Sequence, residues 1–541
     1  MVRSSTICSP RPRGIPPTLV LLAVLGCGTA VGCAGSSPRA TALVDGEAVY
    51  ERYCAVCHGP EGNGQGPASY LLFPKPRNFA AGRFKLRSTP MGKMPTDEDL
   101  IRTVSNGIPG TAMFAFGELL TEDQVGAAVQ HVKSLAPRFA TATPVADDEL
   151  LRLPPAPPSS PELVAAGREV YATFRCAQCH GPEGKGDGPS APGLVDSEGT
   201  PFPAVDFTHG IYKSGGRPED LYRTFLTGME GTPMPSYASA IESDEQAWAL
   251  VYYVLSLTPG GEAQPTAGDP GPLVVTSVDD AGILDDPAAS GWDAVPEHRV
   301  YVRPLWFRSG YSPIATVRAA RVGEQIALLL EWRDATHNAE ALRTQDFSDA
   351  AAMQFALTDI PPFLMGQPGP GNEVEIWYWR AARQAARERG EMLGLESVYP
   401  DVVADRYPFA EGSASEPGFQ GNGAAVEQAA PYVTGRDAGN PVSNPALATR
   451  PVHSLAAAGY GSLTTRPADQ MRAEGNGVWN DGIYRVVFSA PIQSRNPQLE
   501  ADFSIARVPF AVAIWDGGAG DRNGTKLVSQ WITLELESPD R

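Results

Sequence analysis

The sequence predicts a multidomain chain in which two all-α domains precede an all-β sandwich. Three observations carry that reading. Two segments ahead of residue 258 repeat one another, and in both the apolar residues recur at helical spacing. A Gly/Pro-rich stretch, Thr258 to Pro272, then marks a change of texture. Beyond it come short runs rich in β-branched and aromatic residues, bounded by turn signals. The 541 residues suit three or four domains at about 150 residues each. With 42% hydrophobic and 19% charged residues the chain is globular rather than broadly disordered. Gly (56) and Pro (51) are enriched, so loops are expected to be long and numerous. A formal charge of −19 argues against a nucleic-acid partner and favours a basic protein partner.

The first segment, 1–33, reads as an export signal. Arg3, Arg11 and Arg13 give a positive start, and Thr18 to Val31 is mostly apolar but shorter than the ~20 residues a membrane span needs. Two lipobox-like sites follow, ending at Cys27 and Cys33. Cys33 precedes Ala-Gly-Ser-Ser, a small polar tether resembling the start of bacterial lipoproteins. Cys33 is the expected lipidation site, with Cys27 the alternative. The expected location is the periplasm or the outer face of a bacterial membrane.

The first α domain spans 43–138 and the second 162–258. Between them lies a Pro-rich linker, 139–161, expected to be stiff and extended. His58-Gly-Pro-Glu-Gly-Asn-Gly-Gln-Gly-Pro67 matches His180-Gly-Pro-Glu-Gly-Lys-Gly-Asp-Gly-Pro189, and Gly110-Thr-Ala-Met113 matches Gly231-Thr-Pro-Met234. Thr121-Glu-Asp-Gln124 and Ser243-Asp-Glu-Gln246 are capping boxes that open the closing helix of each copy. This is a duplicated domain.

Each copy carries Cys-x-x-Cys-His: Cys54, Cys57 and His58, then Cys176, Cys179 and His180. That pattern attaches c-type haem, two thiols binding the porphyrin and the imidazole reaching iron. Zinc would need two more ligands per site, and the only other cysteines lie in the export segment. Met113 and Met234 occupy equivalent places downstream, each before a final helix, and are the expected sixth ligands. Met91, Met94 and Met229 lack matching partners, as do His131 and His209. The pattern resembles class I cytochrome c domains, in which that Met is the axial ligand and His/Met ligation suits electron transfer.

A second linker, 259–272, leads into 273–541. Gln325-Ile-Ala-Leu-Leu-Leu-Glu-Trp332, Val374-Glu-Ile-Trp-Tyr-Trp379, Tyr484-Arg-Val-Val-Phe488 and Val508 to Trp515 read as strands of a sandwich. Glu411 to Ala448 reads as a long loop inserted into it. Glu331-Trp-Arg-Asp334, Pro362-Phe-Leu-Met-Gly366, Glu375 to Ala381, Asn476-Gly-Val-Trp-Asn-Asp-Gly482 and Ile514 through Lys526 resemble the haem b domain of gamma subunits of the ethylbenzene dehydrogenase group. Relatives in that group serve dimethylsulfide dehydrogenase, selenate and chlorate reductases and nitrite oxidoreductase-type complexes. The resemblance implies a non-covalent haem b held between a Met and a Lys. Met365 and Lys526 are the matching residues, with Met353, His298, His337 and His453 as rivals. Lys526 is the only lysine after Lys213.

The leading expectation is a trihaem electron-transfer subunit with two haem c and one haem b. It would relay electrons between a molybdopterin/iron–sulfur oxidoreductase complex and a soluble cytochrome or terminal oxidase, without being an enzyme itself. Two other readings compete. A dihaem peroxidase-like enzyme would need an open coordination site, whereas both repeats offer a Met. A dihaem cytochrome with a haem-free, ligand-binding sandwich would carry two haems instead of three.

Overall fold

The computed structural model describes residues 44–265, 271–308, 310–390, 393, 397–399, 401 and 445–536. Cys8, Cys27, Cys33 and nearly all of the 411–448 segment lie outside the described residues.

The first repeat folds as α1 (Gly46–Tyr53), α2 (Ala55–His58), α3 (Asp97–Asn106), α4 (Glu122–Ser134) and a final turn, α5 (Arg138–Thr141). The second folds as α6 (Pro161–Thr173), α7 (Ala177–His180), α8 (Pro218–Thr227) and α9 (Asp244–Ser256). Asp45 caps α1 by accepting from the Glu47 and Ala48 amides. Ser160 caps α6, with Pro161 at its first position. Thr121 and Gln124 form a reciprocal box on α4. The second copy differs here: Ser243 accepts from the Gln246 amide, but the Gln246 side chain reaches back to the Glu242 amide instead of that of Ser243.

Each repeat closes by crossing its first and last helices at a glycine. A Cβ on Gly46 would lie 2.2 Å from the Ala127 carbonyl oxygen, and one on Gly167 would lie 1.9 Å from that of Ala249. The backbones touch at both crossings, so only hydrogen fits. The Pro-rich stretch that follows α5 is extended and packed down rather than free. The Leu151 amide donates to Ser88 O (2.8 Å), and the Tyr252 hydroxyl donates to Pro157 O. Thr258, where the second linker starts, is buried and its hydroxyl donates to Phe207 O (2.8 Å).

The rest of the chain forms strands β1 (Leu273–Ser277), β2 (His298–Pro304), β3 (Ile314–Val322), β4 (Gln325–Arg333), β5 (Ala350–Ala356), β6 (Val374–Arg380) and β7 (Val452–Ala457). They are followed by β8 (Thr464–Thr465), β9 (Glu474–Asn480), β10 (Ile483–Pro491), β11 (Arg507–Trp515), β12 (Leu527–Ser529) and β13 (Ile532–Leu536). One layer runs β8-β7-β6-β5-β11, with β12 and β13 also on β11; the other runs β2-β3-β4-β10-β9. β12–β2 pairing joins them, and β1 pairs in parallel with both β3 and β13. Val317, Leu328, Leu330 and Val486 from one layer meet Met353, Phe355, Trp377 and Val512 from the other in a dry core. The sandwich also contains a helix, α10 (Ala381–Arg389), absent from the all-β expectation. Its Ala-Ala-Arg-Gln-Ala-Ala-Arg-Glu-Arg sequence is strongly helix-forming, and Gly390 ends it in the left-handed region.

The α domains are latched to the sandwich and to each other. The Arg52 guanidinium donates to Ile360 O and Pro361 O. The Phe73 amide donates to Leu305 O (3.0 Å), and the Phe307 amide donates back to Phe73 O (2.7 Å). Between the repeats, buried Arg87 pairs with Glu230 at 2.6 Å. The helix crossing gives a stability test. Gly167→Val is expected to destabilise the second α domain by roughly 1–3 kcal/mol through overpacking. Thermal unfolding followed by circular dichroism reads it, and an unchanged melting temperature contradicts the crossing geometry.

Candidate functional site

The two Cys-x-x-Cys-His segments build matching cavities. In the first, the ring of Tyr50 lies under the motif and its hydroxyl donates to Gly59 O (2.7 Å); Tyr171 does the same to Gly181 O (2.7 Å). His58 Nδ1 stands 3.0 Å from Arg77 O, and His180 Nδ1 stands 3.0 Å from Val205 O. A carbonyl can only accept, so Nδ1 carries the proton and Nε2 keeps its lone pair. Each ring is braced by a phenylalanine, His58 on Phe79 (4.6 Å) and His180 on Phe207 (4.4 Å). Burial pushes the His58 pKa down to about 4, so the imidazole is neutral, as a ligand must be. Burial also raises the thiols of Cys54 and Cys57 to about 12.

Met113 lines the first cavity with Cys54, Cys57 and His58; Met234 lines the second with Cys176, Cys179 and His180. Identical turns present them. The Met113 amide donates to Thr111 Oγ1, whose own proton goes to Ile108 O; Met234, Thr232 and Met229 repeat that pattern. Of the other methionines, Met94 is in the core and Met91 is exposed. Met229 is the counterpart of Ile108 and lies in the wall between the two cavities. Both cavities are open at one side and lined mainly by apolar side chains. A neutral imidazole with a free Nε2, two thiols and a thioether around an apolar cleft fit a covalently held haem.

The third constellation lies on the outer face of β5, β6, β7 and β11. Ala352, Ala356 and Ala511 keep that face shallow, and Ile376, Leu455 and Val528 make it apolar. Met365 joins the same cluster from the loop after β5, at a positive φ of 71°. Its amide donates to the Gln354 side chain (3.1 Å), and its carbonyl accepts from the Gly459 amide (2.8 Å). Lys526 Nζ lies 4.7 Å from the ring centre of Trp515, a member of that cluster. Burial lowers the Lys526 pKa to about 8, which brings the neutral amine within reach of ordinary pH. A thioether and a readily deprotonated amine over a shallow apolar face fit a flat, non-covalent haem. Met353 is inside the sandwich core, facing the opposite way. Among the rival histidines, His337 stacks on Trp479, and His453 is fully buried with Nε2 2.9 Å from Leu447 O.

Asp349 and Asp516 hold the loop that carries Lys526. Asp349 accepts from the Gly517 amide (2.7 Å), the Asn338 amide (2.6 Å) and the Tyr484 hydroxyl (2.7 Å). Carboxylate oxygens of Asp334, Asp349 and Asp516 lie within 4.8 Å of one another. Burial, together with Asp349, pushes the Asp334 pKa up to about 7.

The constellations share walls. Phe363, two residues before Met365, lines the first cavity and meets Phe114 edge-on at 6.1 Å. Buried Arg303 of β2 donates to Met113 O (3.0 Å), so the sandwich supports the turn that presents Met113. Phe202, Lys213 and Met229 line both α-domain cavities. No local motif announces these residues, because they act across domain boundaries.

Residues 309–527 match the family model for ethylbenzene dehydrogenase, 164–258 that for cytochrome c, and 41–132 that for cytochrome c oxidase, cbb3-type, subunit III. The chain is 25% identical to a putative respiratory nitrate reductase heme subunit of Haloferax mediterranei, over 53% of this chain and 80% of that protein. It is 28% identical to the dimethylsulfide dehydrogenase subunit gamma of Rhodovulum sulfidophilum, over 47% of this chain and 76% of that one. A chain of the Kuenenia stuttgartiensis reducing HAO-like protein complex Kustc0457/Kustc0458 is 42% identical, covering 39% of this chain and 95% of that chain, with a TM-score of 0.38.

The aspartate cluster gives a direct test of how the Lys526 loop is held. Asp349→Ala leaves three donors, two of them buried, without an acceptor and is expected to cost about 1–3 kcal/mol. Faster proteolysis within 516–526, together with a lower melting temperature, is the expected result. Wild-type protection of that loop would show that it is held elsewhere.

Proposed function

For this chain, which joins two cytochrome c domains to an ethylbenzene dehydrogenase-type domain and is an electron-transfer subunit rather than an enzyme in its own right, we propose a trihaem relay. The observation that carries it is the pair of matching cavities, each with a proton-fixed histidine and an equivalent methionine, one of them sharing a wall with the Met365 face. Bound haem supplies one-electron transfer at each position, and His/Met ligation raises the potential. Cys54 and Cys57, then Cys176 and Cys179, would hold the two covalent groups through thioether bonds. His58 with Met113, and His180 with Met234, would ligate their irons. Met365 and Lys526 would hold the third, non-covalent haem. Lysine serves only as the neutral amine, and Arg cannot replace it.

The shared walls support a definite order. Phe363 and Arg303 join the Met365–Lys526 face to the first cavity, and Phe202 and Lys213 join the first cavity to the second. The sandwich end then faces the catalytic complex, with molybdopterin and iron–sulfur subunits as the proposed partners. The second α domain faces a soluble cytochrome or terminal oxidase. Among the described residues no helix is long and apolar enough to cross a membrane. Attachment outside the cytoplasm through Cys33 is part of the proposal and falls outside the described residues.

The mass of the denatured chain is expected to exceed the polypeptide by two haems, and pyridine haemochrome spectra to give two haem c for each haem b. One added mass, or no b-type haem, overturns the trihaem reading. Met113→Ala or Met234→Ala is expected to keep haem attached while producing a high-spin signal at that site; an unchanged low-spin spectrum in either variant excludes that ligand. Lys526→Arg is expected to abolish haem b retention or sharply alter its spectrum. A wild-type haem b spectrum in that variant would move the assignment to His453 or another rival.

A further inference from the structure

Two lysines at the junction of the α domains form no ion pair among the described residues. Lys85 and Lys213 hold equivalent places in the repeats, each three residues beyond a left-handed glycine, Gly82 (φ 62°) and Gly210 (φ 66°). Docking of the two domains brings both onto one ring. Lys85 Nζ lies 4.8 Å from the centre of Phe202, and Lys213 Nζ lies 4.3 Å from it. Lys213 also lies 4.7 Å from the ring of Phe307, contributed by the sandwich. Lys213 is only 5% exposed, and its one polar contact is a long 3.5 Å approach to Pro203 O. Among the described residues neither lysine forms an ion pair, in a chain with an excess of 19 acidic groups. Lys75 and Arg77 also line the first cavity, and the Arg77 guanidinium pairs with Glu198 at 3.4 Å. Burial lowers Lys213 to about 8, and burial together with Arg77 and Lys213 lowers Lys85 to about 7.

A buried lysine keeps its charge where something anionic meets it, and otherwise tends to neutralise. Aromatic faces are weak hosts by comparison. Both lysines line the first cavity, and Lys213 also lines the second. The acidic groups that belong in such cavities are the propionates of covalent haem. We propose that Lys85 and Lys213 are the propionate-binding residues of the two α domains, and that Lys213 is shared, reaching from the second domain to the haem of the first. The charge of the shared cation then raises both potentials by favouring the reduced state. This rests on the reading that each cavity holds covalent haem, which the denatured mass tests separately.

The test uses the full holoprotein and resolves the midpoint of each haem c by spectroelectrochemical titration. Lys213→Gln is expected to lower both c-haem midpoints with low-spin spectra and two attached haems preserved. Lys85→Gln is expected to lower the midpoint of the N-terminal haem alone, and Lys213→Arg to restore wild-type values. Two attached haems with unchanged midpoints in Lys213→Gln overturn the assignment while leaving the relay intact. If that variant does not accumulate, Lys85→Gln decides: a midpoint equal to wild type overturns the proposal.

Discussion

A single hydrogen bond recurs in both α domains, and the geometry of each cavity depends on it. The carbonyls of Arg77 and Val205 take the Nδ1 protons of His58 and His180. This fixes the tautomer and the ring plane, so Nε2 is presented to the cavity without any further adjustment. Maintaining that bond requires the carbonyl-bearing loop to stay in place. Phe79 and Phe207, one turn on, stack on the imidazoles, and Gly82 and Gly210 then reverse the chain. The same reversal delivers Lys85 and Lys213 three residues later. The fixed histidine ring, its brace and the lysine are therefore tied to one local conformation, written twice in the chain.

Much of this was legible because it is local. Cys-x-x-Cys-His, Gly-Thr-x-Met and the helix caps are short patterns whose chemistry is complete within a few residues. The strands of the sandwich were legible from alternation and aromatic content. Helix α10 was missed although its composition is helical, because it sits inside an otherwise β-rich run. The equivalence of Lys85 and Lys213 was hidden by a shift of register. His58 and His180 are offset by 122 and Asp99 and Asp220 by 121, but the intervening stretch from Arg77 to Lys85 is offset by 128. The second copy gains residues in a small turn where Val195 bridges Pro201, and loses them again before α8. A fixed-offset comparison passes over such a segment. Arg303, Phe363 and Phe202 had no local signature at all, since their partners are distant in sequence.

On the sandwich, alternation decides which methionine is available. Met353 and Gln354 are neighbours on β5 and must face opposite sides. Met353 goes into the dry core, and Gln354 faces outward, where its amide oxygen receives the Met365 amide. The strand thus removes one methionine from the outer face and supports the other. The left-handed φ of Met365 is unusual for a residue with a side chain and persists because neighbouring contacts hold it. Those contacts include Gly459 and, through Gln367, the carbonyl of Arg52 in α1. The Met365 loop is therefore fastened to the first α domain as well as to its own sheet.

The charge distribution completes the argument. The chain is strongly acidic overall, yet its interior junctions are basic: Arg303 lies beneath the Met113 turn, Arg87 between the repeats, and Lys85 and Lys213 at Phe202. A net-charge argument speaks only to the outer surface, where it favours a basic redox partner in low salt. At Lys85 and Lys213 the sign is reversed, which suits the anionic propionates proposed for the cavities. On that proposal, opposite charge at the surface and at the cavities would let one chain attract a cationic partner while raising the potentials of its own haems. Neither property follows from the other: the first rests on the total charge, the second on where a few cations are placed.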